Sequence, residues 1–481
     1  MITVADIFLA HAKSYEGMPA LIADGQTTTF DQLAVQAVKT ANALAARGIG
    51  PNDRVGVTTR NASGCIPEFI AIWMLGATVV PLDFRMPVAE LAKLVAEFEI
   101  GVLLADKNYG LAAVDEVVRD ITWQNMVATS SIATPDAPSD PGLAIISLTS
   151  GTTGRPIGVA FTHLQLFIRC IRYGLSTKAD NAVFACAGLM SFSAVRNHTL
   201  CHLFAGTPVH FYPPLMDASE YIERLLSDKV TNAFAVPTMV RAMLAKVGVT
   251  SQPILPDLNC LYTGGSDMSA DDKIAAYNYL TNGFLMCFSS SLTGTCSILT
   301  GADLLARPDS DGRIVDGVRV EVVDKNDQPV PEGEIGELRV RSTAMANGLI
   351  GGAGRVQGDK FRGGWAFTGD LASISDGFLT IRGRTGDFIV RGGANVYPSE
   401  IEHALMALDG VQECAVVGFA SEREGQEIAA FVVANSLDED ALVRHCRETL
   451  SPDKRPRRFL FVDALPRNSN GKVLRKELVV T

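Results

Sequence analysis

Leu148 to Val159 reads LTSGTTGRPIGV, a run of Ser, Thr and Gly that follows the apolar segment Leu143 to Leu148. An apolar run bounded by small polar residues predicts a buried strand that feeds a loop. Glycines let such a backbone turn its N–H groups inward, and the hydroxyls of Thr149, Ser150, Thr152 and Thr153 add donors without bulk. Thr149 to Gly154, with Gly151 and Gly154 as the turning points, is therefore a candidate phosphate-wrapping loop, with an ordinary solvent loop as the competing reading. The pattern G-x-x-x-x-G-K-[ST] is absent, so the loop is not of the Walker type.

Upstream of this loop, apolar residues recur at helical spacing from Phe30 to Leu44, and RVGVT (Arg54 to Thr58) reads as a short buried strand. A helix at about Ile66 to Leu75 and a strand at Ala77 to Leu82 follow, and the alternation continues to Phe211. It predicts an α/β protein with parallel sheets sandwiched by helices. Near Val318 the texture turns strand-rich (VRVEVVD, then IGELRVRS), which suggests an appended antiparallel or barrel-like unit. Phe378 to Asp387, ending in RGRTGD, has the composition of a connector. Beyond it, a helix at Glu400 to Leu408, strands at Glu413 to Val417 and Ile428 to Val433, and a helix from Asp438 make a domain of roughly ninety residues.

The bulk properties bound the function. The chain has 481 residues, 47% hydrophobic and 20% charged, which predicts two or more domains. A formal net charge of −11 argues against nucleic acid or an anionic membrane as a partner. Nine cysteines with no C-x-x-C pair read as buried free thiols, and seven histidines without H-E-x-x-H spacing give no expectation of a protein-held metal. The start MITVADIFLAHAKSYEG lacks the layout of a signal peptide, and the most apolar stretch, Ala71 to Leu82, is about a dozen residues, too short to cross a bilayer. A cytoplasmic protein is the expectation.

T-S-G-T-T-G-x-P resembles the phosphate-loop signature of the acyl-adenylate-forming superfamily, which comprises acyl-CoA synthetases, peptide-synthetase adenylation domains and luciferases. Further motifs follow in that family's order along essentially the whole chain: GATVVPLD (Gly76 to Asp83), VTNAFAVPTMV (Val230 to Val240), LYTGGSDMS (Leu261 to Ser269), GELRVRS (Gly336 to Ser342), FTGD (Phe367 to Asp370), GRTGDFIVRGGANVYPSE (Gly383 to Glu400) and LPRNSNGKVLRKEL (Leu465 to Leu478). The resemblance implies a large N-terminal region, residues 1–383, of two α/β sheets plus a β-rich subdomain. A hinge at 384–388 and a small mobile α/β lid at 389–481 would follow, with the active site in the cleft between them.

By the same resemblance, Asp370 accepts hydrogen bonds from the ribose hydroxyls of ATP, and Arg384 contacts ribose or phosphate. Lys472 reaches between the substrate carboxylate and the α-phosphate, where its charge offsets negative charge gathering on phosphorus. Gly386 is the hinge position, and Gly392 and Gly393 form the loop lining the pantetheine tunnel, a simple hairpin turn being the alternative. Phe192, Ser193, Val236, Thr263 and Ser289 line the acid pocket, with Gly264 and Gly265 beside the adenine. Arg196 or His198 would read a second carboxylate or polar group on the acid, with a helix-surface ion pair as the bland alternative.

Two departures from the family pattern lie at the pyrophosphate end. The usual P-K-G is Pro156-Ile157-Gly158, and the usual Y-G-x-T-E is Ser290-Ser291-Leu292-Thr293-Gly294. Ser290 then stands where an aromatic would stack on adenine, Gly294 where a glutamate would help hold Mg²⁺, and Thr293 keeps the hydroxyl for the α-phosphate. A register slid by two residues makes Phe288 the aromatic instead. The implied activity is ATP- and Mg²⁺-dependent activation of a carboxylic acid to acyl-AMP, then transfer to CoA. The alternatives are loading of a separate carrier protein or an amine, and a nucleotide-binding homologue with weak or no adenylation. A homodimer is one option for the assembly.

Overall fold

A computed structural model of the chain describes residues 2–150, 156–174, 181–214, 216–351, 354–356, 360–385, 389–391, 394–421, 425–467 and 473–480. The helix anticipated from Phe30 runs Phe30–Ala45. Thr29 caps it: its hydroxyl accepts from the Gln32 N–H, and the Gln32 side chain accepts from the Thr29 N–H. This capping box satisfies two orphan donors of the first turn. The strand Arg54–Thr58, helix Cys65–Met74 and strand Thr78–Leu82 likewise form where the apolar pattern puts them.

Those strands belong to a sheet of eight among the described residues. Its parallel part runs from Asp115–Val118 through Val102–Ala105, Arg54–Thr58 and Thr78–Leu82 to Leu143–Ser150. The last of these turns back antiparallel as Pro156–Thr162, with Leu148 opposite Gly158 and Thr149 opposite Ile157. The Ser- and Thr-rich run is thus mostly hairpin strand, and the connection between the two strands falls on residues 151–155, outside the described residues.

A second sheet of fourteen strands holds a parallel core made of Phe284–Ser290, Cys260–Gly264, Asn232–Phe234, Phe184–Cys186, Val209–Phe211 and Pro19–Ala23. The strand-rich unit is not a separate appendage: Arg313–Ile314 pairs both with Gly294–Thr300 and, through Arg313 opposite Phe378, with Phe378–Arg384. The expected connector at Phe378 is a correction of the same kind. Phe378 and Leu379 are buried, and Phe378–Arg384 is a strand paired with Trp365–Ser375. Arg and Gly content marked its exposed end and hid the buried start.

The C-terminal sheet, of five strands among the described residues, is distinct. It packs helices Pro398–Met406 and Glu439–Thr449 on a core that includes Ile401, Leu405, Val416, Ile428 and Leu442. Among the described residues, two side-chain hydrogen bonds tie it to the body: Ser399 Oγ donates to the Arg382 carbonyl at 2.5 Å, and His403 Nε2 meets Asp267 Oδ2 at 2.5 Å.

Candidate active site

Pairing of Trp365–Ser375 with Phe378–Arg384 sets Asp370 opposite Arg384, and Arg384 Nε donates to Asp370 Oδ1 at 3.1 Å. Asp370 is 5% exposed. Among the described residues its Oδ2 takes no hydrogen bond, which leaves an oxygen able to accept in the middle of the strand. Gly369 has φ of +78°, and a Cβ there would lie 2.6 Å from Lys360 Nζ. The left-handed backbone favours glycine here, while the Lys360 ammonium, at the end of a flexible side chain, could swing aside. Thr368 Oγ1 accepts the Asp370 N–H at 3.1 Å, and Thr385 Oγ1 donates to the Gly369 carbonyl at 2.7 Å, so the carboxylate is held by its neighbours on both strands.

The segment Ser289 to Gly294 is the turn between strands Phe284–Ser290 and Gly294–Thr300, with Ser289 opposite Thr295 and Ser290 opposite Gly294. Ser290 Oγ lies 3.2 Å from the Leu292 N–H and 3.3 Å from the Thr293 N–H, and 3.0 Å from Thr293 Oγ1. Ser290 is thus a turn-building residue. Thr293 is fully buried, its hydroxyl directed to the Gly294 carbonyl at 3.2 Å. Phe288 packs toward the cluster around Cys296, Leu338 and Leu379, so the slid register puts that ring in a core.

Gly294 has φ of +79°, and Arg169 stands against it: a Cβ on Gly294 would lie 3.8 Å from the Arg169 Cζ and Nε. Arg169, on helix His163–Gly174, is 4% exposed, donates from Nη2 to the Ser290 carbonyl at 2.7 Å, and stacks over Phe161 at 4.6 Å. The sequence reading missed it. The available signal was a cation at helical spacing among Leu166 and Cys170, both buried. Ile157, where the family carries lysine, packs on the main core.

Helix Ser193–Phe204 starts after Phe192, whose ring faces the Arg85 guanidinium at 5.8 Å. One turn on, Arg196 is 1% exposed, which excludes a surface ion pair. Its Nη1 donates to the Met190 and Ser191 carbonyls at 2.9 and 3.2 Å, and its Nη2 to Ser147 Oγ at 2.6 Å. Burial pulls its pKa down to about 10, and the charge of Arg169 adds to that. Ser193, Arg196, Asn197, Arg169, Ser147 and Ser291 meet around one cavity. His198 is instead sandwiched among Phe184, Phe234 and Tyr262, and burial pushes its pKa far down, so it is a neutral core imidazole and not a reader of acid.

Thr263 is fully buried at the end of strand Cys260–Gly264, and among the described residues its hydroxyl has no partner. A Cβ on Gly264 would meet the Cys287 carbonyl at 2.6 Å, whereas Gly265 opens to free space. Val236 is 39% exposed just before helix Pro237–Val247. Thr149 Oγ1 donates to the Ile157 carbonyl at 3.2 Å, and Ser150 is described only by its backbone pairing with Pro156. Gly151, Thr152, Thr153, Gly154, Gly386, Gly392, Gly393 and Lys472 lie outside the described residues. The nine thiols are free, eight of them buried and Cys414 half-buried. Among the described residues no helix is long and apolar enough to cross a membrane.

Comparison with known proteins adds a family. Residues 8–350 match the AMP-binding enzyme family and residues 400–472 its C-terminal domain. Feruloyl-CoA synthase of an Amycolatopsis species is 29% identical over 471 residues, covering 94% of both chains. The long-chain-fatty-acid–CoA ligase FadD13 of Mycobacterium tuberculosis is 30% identical over 485 residues, covering 94% of this chain and 92% of its own. The ATP-bound structure of MatB from Rhodopseudomonas palustris superposes with a TM-score of 0.87 at 25% identity, over 99% of this chain and 98% of that one.

Proposed function

The chain belongs to the AMP-binding enzyme family, and from that premise we propose that it is an AMP-forming acid–CoA ligase in which Lys472, Arg384 and Thr293 serve catalysis and Asp370 binds the nucleotide. In the first half-reaction a carboxylate oxygen attacks the α-phosphorus of Mg·ATP. The bond to the bridging oxygen breaks, and pyrophosphate leaves. In the second, the CoA thiolate attacks the acyl carbon, the C–O bond to AMP breaks, and the thioester forms. Mg²⁺ enters as part of the nucleotide substrate. The observation that carries the reading is the Asp370–Arg384 pair: a nearly buried carboxylate with one oxygen held and one open suits two ribose hydroxyls.

The residues 149–154 would wrap the phosphates, and Lys472 would supply the mobile positive charge during adenylation. Gly386 would be the hinge within 384–388 that lets the lid 389–481 withdraw that lysine and bring Gly392 and Gly393 to the thiol donor. Thr293 serves chiefly by shaping the turn beside the α-phosphate, given its buried hydroxyl. Ile157 and Gly294 leave the pyrophosphate end without the family's lysine and glutamate, which favours, as a second reading, a nucleotide-binding homologue with weak adenylation. Free, mostly buried thiols support a cytoplasmic setting.

The test is a mass-spectrometric assay of the full chain with Mg·ATP and a pool of fatty, aromatic, amino and dicarboxylic acids, with and without CoA. AMP together with a new acyl-CoA is the expected result. AMP with an acyl-adenylate and no CoA adduct would move the acceptor to a carrier protein or an amine, and ATP binding without AMP would favour the second reading.

A further inference from the structure

We propose that the acid activated by this chain carries a second anionic group, and that Arg196, with Arg169 beside it, receives that group in the cavity between helices His163–Gly174 and Ser193–Phe204. The proposal rests on the ligase reading for its chemistry, and its recognition step stands on the cavity itself. The cavity is small, about 10 Å³ for the centre of a water-sized sphere, and Ser147, Ser193, Ser291 and Asn197 join the two arginines around it.

Arg196 is a buried cation with an incomplete set of partners. Three of its donor contacts go to neutral oxygens, those of Met190, Ser191 and Ser147, and among the described residues its Nε has none. No carboxylate among the described residues forms an ion pair with it; the buried Glu68 is engaged through both oxygens by Arg119 at 2.6 and 2.7 Å. Asn197 Oδ1 and Ser191 Oγ are also buried without partners among the described residues. A buried guanidinium next to another buried guanidinium is unfavourable unless negative charge joins them. An anionic group entering this cavity would give Arg196 its missing acceptor and the charge partner it lacks among the described residues.

A carboxylate on the acid is the source favoured by position. Arg196 lies one turn along the same helix from Ser193 and shares the cavity with Ser291, whereas the ribose acceptor Asp370 sits on the strand Trp365–Ser375. The serine, asparagine and arginine donors would then select diacids, because the analogue lacking the second charge leaves these groups desolvated and unmatched.

The experiment compares matched acids of equal length on the full chain with Mg·ATP and CoA: pimelate against heptanoate, and terephthalate against benzoate. The expected result is a preference for the diacid in kcat/KM on the order of 10²-fold, falling toward unity in Arg196→Met and partly recovered in Arg196→Lys. Equal use of both members of each pair by the unaltered chain would overturn the proposal without any variant. A diacid preference unchanged in Arg196→Met, with ATP binding weakened instead, would assign the guanidiniums to nucleotide phosphate and overturn it too. If no acid releases AMP but pimelate or terephthalate raises the melting temperature of the unaltered chain and not of Arg196→Met, the pocket stands and the ligase reading falls.

Discussion

The guanidinium of Arg169 lies against Gly294, 3.8 Å from where a Cβ at position 294 would stand, an ordinary contact distance. A glutamate restored at this position would have Arg169 beside it as a cation competing with any metal. Its backbone would be held at φ of +79°, which costs a non-glycine residue about 1–2 kcal/mol, and Arg169 would be close enough to pair with its carboxylate. Gly294→Glu is expected to leave pyrophosphate release no faster than in the unaltered chain. A tenfold rise, about 1.4 kcal/mol off the barrier, would mean that the carboxylate reaches the metal and that the contact with Arg169 is dispensable.

Asp370 should behave as a binding group for ATP. Asp370→Ala removes a charged acceptor, a loss of about 1.5–3 kcal/mol, so kcat/KM for ATP should fall by roughly 10- to 200-fold. Asp370→Asn keeps an acceptor without the charge and should fall between. Saturation kinetics of pyrophosphate release would measure this. An unchanged kcat/KM for ATP in Asp370→Ala, in a protein that melts normally, would remove Asp370 from the site.

Much of this arrangement was legible in the residues. The spacing of apolar residues located Phe30–Ala45 and Arg54–Thr58, because local preference and burial agree there. The strand Phe378–Arg384 was read as a connector because its glycines and arginines are local signals, while its pairing partner is set by tertiary contact. Arg169 was missed for a similar reason. A cation in an apolar helical pattern looks like a solvated residue until the turn at Ser290 closes over it. The fate of His198 shows the reverse error: a polar residue beside a candidate pocket is absorbed into an aromatic stack.

Lys472 gives a test that separates the half-reactions. If it offsets charge on the pentavalent phosphorus, Lys472→Ala should slow acyl-AMP formation by about 10²–10³-fold, while conversion of supplied acyl-AMP to acyl-CoA stays near the unaltered rate. Single-turnover assays started from acid plus ATP, and separately from synthetic acyl-AMP plus CoA, read the two steps. Equal slowing of both would point to damage of the lid as a whole.

The contact between lid and body should respond to pH through His403 and Asp267. The hydrogen bond His403 donates to Asp267 raises the pKa of His403, opposed by burial and by Lys273; burial pushes Asp267 up, but that bond and the charges of His403 and Lys273 leave it lowered. A raised histidine contributes stability that is complete below its ordinary value and lost as pH climbs through the raised one. A lowered carboxylate contributes stability present above its ordinary value and lost as pH falls through the lowered one. The pair is therefore strongest between those two limits. Asp311 adds an effect of its own: burial and the charge of Asp267 push it up to about 6, so its ionisation penalises the folded body as pH rises toward that value. Both side chains of the His403–Asp267 pair are about half exposed, so solvent screening holds its worth to about 0–1 kcal/mol, at most a roughly fivefold change in lid population. Fluorescence energy transfer between dyes on lid and body should show a more closed population at pH of about 5.5 than at about 8.5. That difference should vanish in His403→Ala and persist in Asp311→Asn. The same pH response in His403→Ala would show that some other group governs the lid.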